Sequence, residues 1–425
     1  MIKIVIAPDS FKGSISSHDA AEAVSEGLRD VLGDELESVV IPIADGGEGT
    51  LEALTDESER IAMEVTGPDA EPVTASYGIC GDTAVIEMAK ASGLTLSPRH
   101  RAAEATTYGT GELMADAIDR GIRKIMLTAG GSATNDGGCG MLAALGAVFV
   151  NGRGFEFIPT GGTLADIASF DMSCMIDGFF ETTFTVAADI RNPLLGSEGA
   201  TAVYGPQKGA TAEELALMER GMAHWAEMLE KASGKAVASV PGSGAAGGIA
   251  APLIAFSNAE IKRGIDTVLE TAGFDAALEG ADAVVTGEGR LDSQSLYGKA
   301  VSGVAKAAAA AGVPVDVICG CAGDDPERLK SMGLREIITL VSLAPDAASA
   351  ISDAGKWIRE AARQYALKQL LPKAREMTLT DEKLDLFRKQ KDTLDIFLRN
   401  GAITEAQYGK SLGDLKRLMN IPLDM

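Results

Sequence analysis

The sequence has little of what marks a secreted, metal-binding or nucleic-acid-binding protein. Its five cysteines in 425 residues (Cys80, Cys139, Cys174, Cys319, Cys321) are odd in number and scattered. That argues for reduced thiols, not a disulfide framework. Cys319-Gly320-Cys321 is one residue too tight for a Cys-x-x-Cys pair. The three histidines (His18, His100, His224) stand far apart with no metal spacing, so a Ser-His-Asp hydrolase has little support. Aromatics are only 5% of residues, so the core must be mostly Ala, Val, Ile, Leu and Met. No segment reaches the ~18 apolar residues of a membrane span. The longest candidate, Met141 to Val150, is ten residues and includes Gly146. The stretch Met1 to Asp9 does not read as a signal peptide, because its apolar run is short and ends in Pro-Asp.

Positive charge is also scarce. The net charge is −23 and the isoelectric point about 4.6. Such a surface repels phosphate backbones and anionic lipid. The longest basic stretch is Arg388-Lys389-Gln390-Lys391. The sequence therefore predicts no nucleic-acid partner, no membrane partner and a cytoplasmic location. An anionic small substrate would need a site carrying its own cations. What is abundant is glycine, with 49 residues and no Gly-X-Y period, so the excess must sit in loops. The 46% hydrophobic content suits a globular chain, and the length suggests two to three domains.

The opening reads strand, loop, helix, strand. Ile2, Ile4, Val5 and Ile6 fit a buried parallel strand. Ser16 is placed to cap the next helix, with Asp19 three residues on. A second strand, Ser38 to Ile43, follows. This is the βαβ grammar of an open parallel sheet. After about residue 60 the pattern changes. Val65–Tyr77 and Thr83–Met88 read as shorter, antiparallel-style strands, and Lys124–Thr128 as a buried one. Further strands are expected near Phe184–Asp189 and Ala236–Val240, with a long helix over Ala212–Ala232. The βαβ grammar returns near residue 275, with strands at Ala283–Thr286, Val313–Cys319 and Ile337–Val341 and a closing helix over Ala347–Leu371.

The economical architecture is α/β: a Rossmann-like open parallel sheet domain (1–60 and 266–371) interrupted by an inserted second α/β domain (61–265). Beyond Pro372, Thr380–Phe397 and Glu405–Met419 read as two amphipathic helices joined by Arg399-Asn400-Gly401. This C-terminal helical hairpin (372–425) is a candidate for homo-oligomer contacts.

Ligands of open α/β sheets bind at strand carboxyl ends, and four loops there carry candidate chemistry. Ala129 to Gly138 holds four glycines together with Ser132, Thr134, Asn135 and Asp136. Its amides can form an anion nest, and its side chains suit phosphate oxygens and a hard divalent cation. The bland alternative is a tight structural turn. Asp9 to Ser14 presents Lys12, a partner for phosphate or carboxylate or a solvated loop lysine. Asp45-Gly46-Gly47-Glu48-Gly49-Thr50 offers two carboxylates for Mg²⁺ or a proton, unless Asp45 merely caps a helix. Thr286 to Ser295 alternates sign at Glu288, Arg290 and Asp292, as a local ion pair also would. Asp189-Ile190-Arg191-Asn192-Pro193 and Tyr204 to Gly209, with Lys208, add charged groups beside strand ends.

Other patterns fail. Gly242 to Gly247 matches G-x-G-x-x-G, but it follows Val240-Pro241 and lacks an acidic residue closing a second strand about twenty positions on. Gly409 to Gly413 matches G-x-S-x-G within a charged helical tail. Gly298-Lys299 is followed by alanine, so there is no Walker A motif.

Taken together, the loops resemble the type 1 glycerate kinase family. The matching blocks are Ala7–Ser14, Pro42–Thr50, Gly130–Gly138, Asp189–Pro193, Tyr204–Gly209 and Thr286–Asp292, in family order over about residues 1–370. The resemblance implies a Rossmann-like domain with an inserted α/β domain and a cleft between them. It implies ATP- and Mg²⁺-dependent phosphoryl transfer to a hydroxyl of (R)-glycerate, giving 2-phosphoglycerate (or 3-phosphoglycerate) and ADP. On that reading, Gly130, Gly131, Ser132, Asn135, Gly137 and Glu288 bind nucleotide. Lys12, Arg191 and Lys208 neutralise the transferring group or the glycerate carboxylate. Asp45 and Asp136 hold Mg²⁺, and Asp189 accepts the hydroxyl proton. The alternatives are a kinase of another small hydroxy acid and a non-catalytic regulator that binds ATP or an acid.

Overall fold

The protein is described by a computed structural model covering residues 1–292, 300–323, 329 and 333–418. Ser293 to Ser295 of the fourth loop, Gly298-Lys299 and Met419 lie outside the described residues. Thirteen strands are described: β1 (Ile2–Pro8), β2 (Leu36–Val40), β3 (Arg60–Thr66), β4 (Pro72–Cys80), β5 (Thr83–Glu87), β6 (Lys124–Thr128), β7 (Val148–Asn151), β8 (Ile167–Asp171), β9 (Thr183–Ala187), β10 (Glu260–Lys262), β11 (Ala283–Leu291), β12 (Val315–Ala322) and β13 (Leu334–Thr339).

They form two main sheets. The first is five-stranded, in order β13-β12-β11-β1-β2, and wholly parallel. The second is six-stranded, in order β10-β9-β6-β5-β4-β3. Its β10, β9, β6 and β5 run parallel, and β4 and β3 are added antiparallel. All strands of the second sheet lie between residues 60 and 262, so the chain leaves the first sheet after β2 and returns at β11. A ribbon of β7 and β8 stands apart.

Side-chain alternation along β1 shows how the sheets are buried. Ile4 and Ile6 face a core shared with the helices Ser17–Leu32 and Ala354–Tyr365. Val5 and Ala7 face the opposite core, which also holds Leu51, Ile265, Val304 and Val317. Burying each such aliphatic side chain contributes about 1.5–3 kcal/mol. That second core continues to Val85, Met126 and Ala187 of the six-stranded sheet. The other face of that sheet (Ile86, Leu127, Val186) packs with Leu113, Leu142 and Trp225. The body is thus five layers, helix–sheet–helix–sheet–helix, with a continuous apolar seam between the two sheets.

Several local expectations hold. The side chain of Ser16 accepts from the Asp19 amide at 3.1 Å and caps the first helix, an interaction worth about 1 kcal/mol. The Lys124–Thr128 strand and the long helix, Ala212–Ser233, stand where expected.

Others are corrected. Val65–Tyr77 is not one strand, because the chain turns at Gly67–Glu71 and pairs back on itself. No strand forms at Ala236–Val240, whose segment is fixed instead by Glu230, which accepts from the Val237 and Ala238 amides. The run Gly287–Leu291 is strand, not loop, because β12 extends alongside it as far as Ala322. Glycines permit this approach, since a Cβ on Gly287 would strike the Ile318 carbonyl. The expected closing helix is two, Ala347–Ser352 and Ala354–Tyr365, followed by a wide turn over Ala366–Leu370. Pro372 sits in the first turn of a further helix, Leu371–Arg399, where its missing amide hydrogen costs nothing. A last helix, Glu405–Leu418, folds back against it.

Candidate functional site

The candidate loops leave the carboxyl ends of parallel strands in both sheets. In the first sheet, Ile43 N donates to Pro8 O at 3.0 Å, so the loops after β1 and β2 start side by side. Asp9 N donates to Gly287 O at 2.8 Å. A Cβ on Gly289 would lie 3.3 Å from Lys12 N. The Lys12 loop and the Glu288 strand end are therefore neighbours. Lys12 is exposed and makes no hydrogen bond or ion pair among the described residues. Glu288 is 8% exposed and lies beside Cys319, whose thiol is pushed up to about 12 by burial first and by the Glu288 charge second.

In the second sheet, the ends of β6, β9 and β10 are joined directly. Ala129 N donates to Ala187 O at 3.0 Å and Ala188 N to Lys262 O at 2.9 Å. These bonds place the Gly130 loop, Asp189 and Gly264 in adjacent positions. Gly264 N then donates to Asp189 Oδ1 at 2.8 Å.

The two sets of loops meet at glycines. A Cβ on Gly264 would fall inside contact distance of the Asp45 carbonyl and lie 2.7 Å from Gly46 Cα. A Cβ on Gly130 would lie 3.5 Å from Gly47 Cα. Gly46 has φ +87°, a conformation that side chains rarely tolerate. The Asp45 loop of the first sheet thus rests on the Gly130 and Gly264 loops of the second.

Two carboxylates belong to this junction, Asp45 and Asp189. Asp45 Oδ1 accepts from Gly47 N at 3.0 Å. The Asp189 side chain reaches solvent, yet desolvation by the surrounding loops pushes its carboxyl above the usual range. The Gly264 amide pulls the other way, and the Asp45 charge adds to the rise. Arg191, two residues on, is exposed and makes no hydrogen bond or ion pair among the described residues.

The glycine-rich loop divides into two parts. Gly130 and Gly131 lie at the surface, and Gly131 has φ +67°. From Ser132 to Gly138 the loop is buried. Lys208 is 2% exposed and donates to Ser132 Oγ at 2.8 Å and to Thr134 O at 2.7 Å. Burial pulls its ammonium down to about 7, although the Asp136 charge favours the protonated form. Lys208 therefore grips the loop from inside the protein.

Four expectations change here. Lys208, expected at the transferring group or the glycerate carboxylate, is buried and bound to the loop instead. Asp136, expected as a metal ligand, is fully buried. Its Oδ2 accepts from Thr107 N (2.8 Å), Thr107 Oγ1 (2.8 Å) and Gly140 N (3.2 Å), and its Oδ1 from Gly138 N (3.1 Å). A carboxylate with four protein donors is a brace for the loop, with no open face for a cation. Asn135, expected at the nucleotide, donates to Thr201 Oγ1 at 3.0 Å and is buried. Gly137 packs on Trp225, whose Nε1 donates to its carbonyl at 3.0 Å. The G-x-G-x-x-G segment packs onto this same buried half, where a Cβ on Gly247 would lie 2.6 Å from Asn135 Cα.

Sequence reasoning missed Gly264 and Glu87. Gly264 follows a strand of three residues, too short for a periodic signal. Glu87 could have been noticed as a carboxylate ending an otherwise apolar strand, Ala84-Val85-Ile86. Among the described residues one group of three potential ligand side chains clusters, His18, Asp19 and Glu22, all exposed on the first helix.

Comparison with known proteins agrees with the loop pattern. The profile described as "Glycerate kinase family" matches residues 4–369. The glycerate kinase of Bacillus subtilis (strain 168) is 44% identical over 379 residues, spanning 88% of this chain and 99% of that one. The glycerate 2-kinase of Escherichia coli (strain K12) is 42% identical over 348 residues, spanning 80% and 91%. The crystal structure of a Salmonella typhimurium LT2 protein assigned as a glycerate kinase 2 superposes with a TM-score of 0.78 at 39% identity, covering 88% of this chain and 99% of that chain. With six motif blocks in order and a match across nearly all of both sheets, the chain belongs to the glycerate kinase family.

Proposed function

We propose that this enzyme transfers the terminal phosphoryl group of ATP to a hydroxyl of (R)-glycerate, giving 2-phosphoglycerate and ADP. One observation carries the reading beyond family membership: loops from two separate sheets meet at Gly46, Gly130, Gly264 and Asp189. Phosphoryl transfer asks mainly for positioning and charge neutralisation, and glycine-lined loops allow backbone to approach a polyphosphate.

Within this reading, the exposed Gly130-Gly131 turn and Ser132 take the nucleotide phosphates. Lys208 holds that turn rigid through Ser132 and Thr134. Lys12 and Arg191, both exposed and without protein partners among the described residues, meet the transferring group and the glycerate carboxylate. Asp189 accepts the proton of the attacking hydroxyl. Its raised carboxyl pKa makes it a stronger base than an ordinary aspartate.

A divalent cation fits Asp45 better than Asp136. Asp45 has one protein donor against four, and it interacts electrostatically with the like charge of Asp189. Asp45 would hold Mg²⁺, which supplies neutralisation of the phosphate oxygens when bound. The six-stranded sheet and its helices, roughly 61–265, form an inserted domain in this reading, with 1–60 and 266–371 as the Rossmann-like domain. The cytoplasm supplies the ATP.

The test is direct. The full chain is incubated with ATP, Mg²⁺ and D-glycerate, and the product identified by phosphorus NMR. A phosphomonoester signal of 2-phosphoglycerate is expected. ADP release with a different hydroxy acid but not glycerate would move the reading to another acceptor, and binding without ADP release would end it.

A further inference from the structure

One buried acid near the site has no part in the chemistry above. Glu87 ends β5 and is 1% exposed. It lies on the same face of its sheet as Val85, which points into the seam with Leu51 and Leu54. Its Oε2 accepts from Leu51 N at 3.3 Å, and the Gly49 amide also bears on it. Those amides open the short helix Thr50–Leu54, whose own cap residue, Gly49, has no side chain to offer. The carboxylate thus comes from the six-stranded sheet, and the amides come from the loop that leaves the five-stranded sheet.

An acid is an expensive choice at this place. Burial pushes Glu87 up to about 6, with Lys90 pulling it down and Glu52 pushing it further up. A leucine would extend the apolar seam without that desolvation cost. Packing therefore does not explain the residue, whereas position does. Thr50 Oγ1 donates to Gly47 O at 2.7 Å, linking the capped turn to the glycine that faces Gly130. Fixing the start of this helix fixes Asp45 to Gly49 against the glycine-rich loop.

We propose that Glu87 is a positioning residue of the phosphoryl-transfer site, tying the Asp45–Gly49 loop of one sheet to the strand ends of the other. It touches neither substrate and acts through the loop it holds. The assignment rests on the functional reading above for its kinetic consequence, but not for its structural one.

The experiment uses the full chain and three variants, Glu87→Leu, Glu87→Asp and Glu87→Gln. Amide hydrogen exchange at Gly47–Leu51 is followed in the absence of substrate, and kcat, KM and melting temperature are measured beside it. The leucine variant is expected to melt no lower than the parent. Its exchange at these amides should rise about fivefold or more, the loss of one cap. Its kcat should fall by about 10–100-fold through misplacement of the loop. The glutamine variant keeps an acceptor oxygen and should recover kcat to within about threefold of the parent. If the leucine variant does not fold, the aspartate variant decides. Its charge is kept but its reach is shortened, so faster exchange and lower kcat are again expected. Unchanged exchange and unchanged kcat in the leucine variant, or in the aspartate variant if that one decides, would overturn the proposal. A parent enzyme that forms no ADP from glycerate would instead defeat the functional reading, and the exchange data would still decide whether Glu87 holds the loop.

Discussion

Gly264 donates its amide to Asp189 Oδ1 at 2.8 Å and packs so closely on the backbone of Asp45 and Gly46 that no Cβ fits between them. One residue therefore holds the Asp189 carboxylate on one side and the backbone of the Asp45 loop, from the other sheet, on the other. Its φ is not in the left-handed region. It opens the helix Gly264–Thr271, where alanine would ordinarily be the better helix former. The requirement for glycine is space alone.

Gly264→Ala accordingly separates helix propensity from loop contact. The new Cβ would collide with the Asp45 carbonyl, so the Asp45 loop must move. We expect kcat/KM to fall by about 10²-fold or more, in line with the cost of a misplaced reacting group. Gly152→Ala serves as the control, since its Cβ would meet nothing within 4 Å. Steady-state ADP release should be unchanged there. Equal activity in both variants would show that the contact at Gly264 does not set the site.

Asp189→Asn tests the base. The amide still accepts from Gly264 through its oxygen, so the loop should keep its shape. Turnover is expected to drop by about 10²–10⁴ with little change in KM. Full turnover in a normally folded variant would remove Asp189 from that role, leaving it as a partner of the Gly264 amide only.

Much of the body was legible in the sequence because its signals are local. The β-branched run Ile2 to Ile6 announces a strand buried on both faces, and the change of grammar near residue 60 marks where the chain passes to the second sheet. The candidate site was less legible, because residue type alone does not separate surface from interior. Gly130 and Gly137 look alike in sequence, yet one abuts Gly47 of the other sheet and the other packs on Trp225. Asp45 and Asp136 look alike too, yet one has a single backbone donor and the other is enclosed by Thr107, Gly138 and Gly140. Long-range partners decide these cases, and Thr107 stands 29 residues away from Asp136.

The family match ends at residue 369, before the helices Leu371–Arg399 and Glu405–Leu418. Leu386, Ile396 and Phe397 are exposed on the first of these. No residue of the junction at Asp45, Gly130, Asp189 and Gly264 comes from this segment. Truncation after Leu371 should leave kcat/KM within about twofold of the parent, the scatter of a neutral surface change. Light scattering on both forms reads whether the segment joins copies of the chain. A lower mass with retained turnover would make it an assembly element, and loss of turnover would show that it supports the catalytic body.

Lys208 gives the site a signature in stability against pH. Burial holds its ammonium at about 7, against 10.5 for a free lysine. Between these values the unfolded chain binds the extra proton, so stability from this group rises as pH climbs from about 7 toward 10.5. Below that window both states are protonated, and the full penalty of burying the charge is present. The span is on the order of a few kcal/mol. Lys208→Met removes the titration together with the grip on Ser132 and Thr134. Urea midpoints taken at several pH values across that window should therefore climb more steeply in the parent than in the variant. The freed loop should raise the KM for ATP by about tenfold, since both of its hydrogen bonds from Lys208 are lost. Parallel slopes would mean that Lys208 keeps an ordinary pKa in the fold, and an unchanged KM would mean that its hold on the loop does not reach the nucleotide.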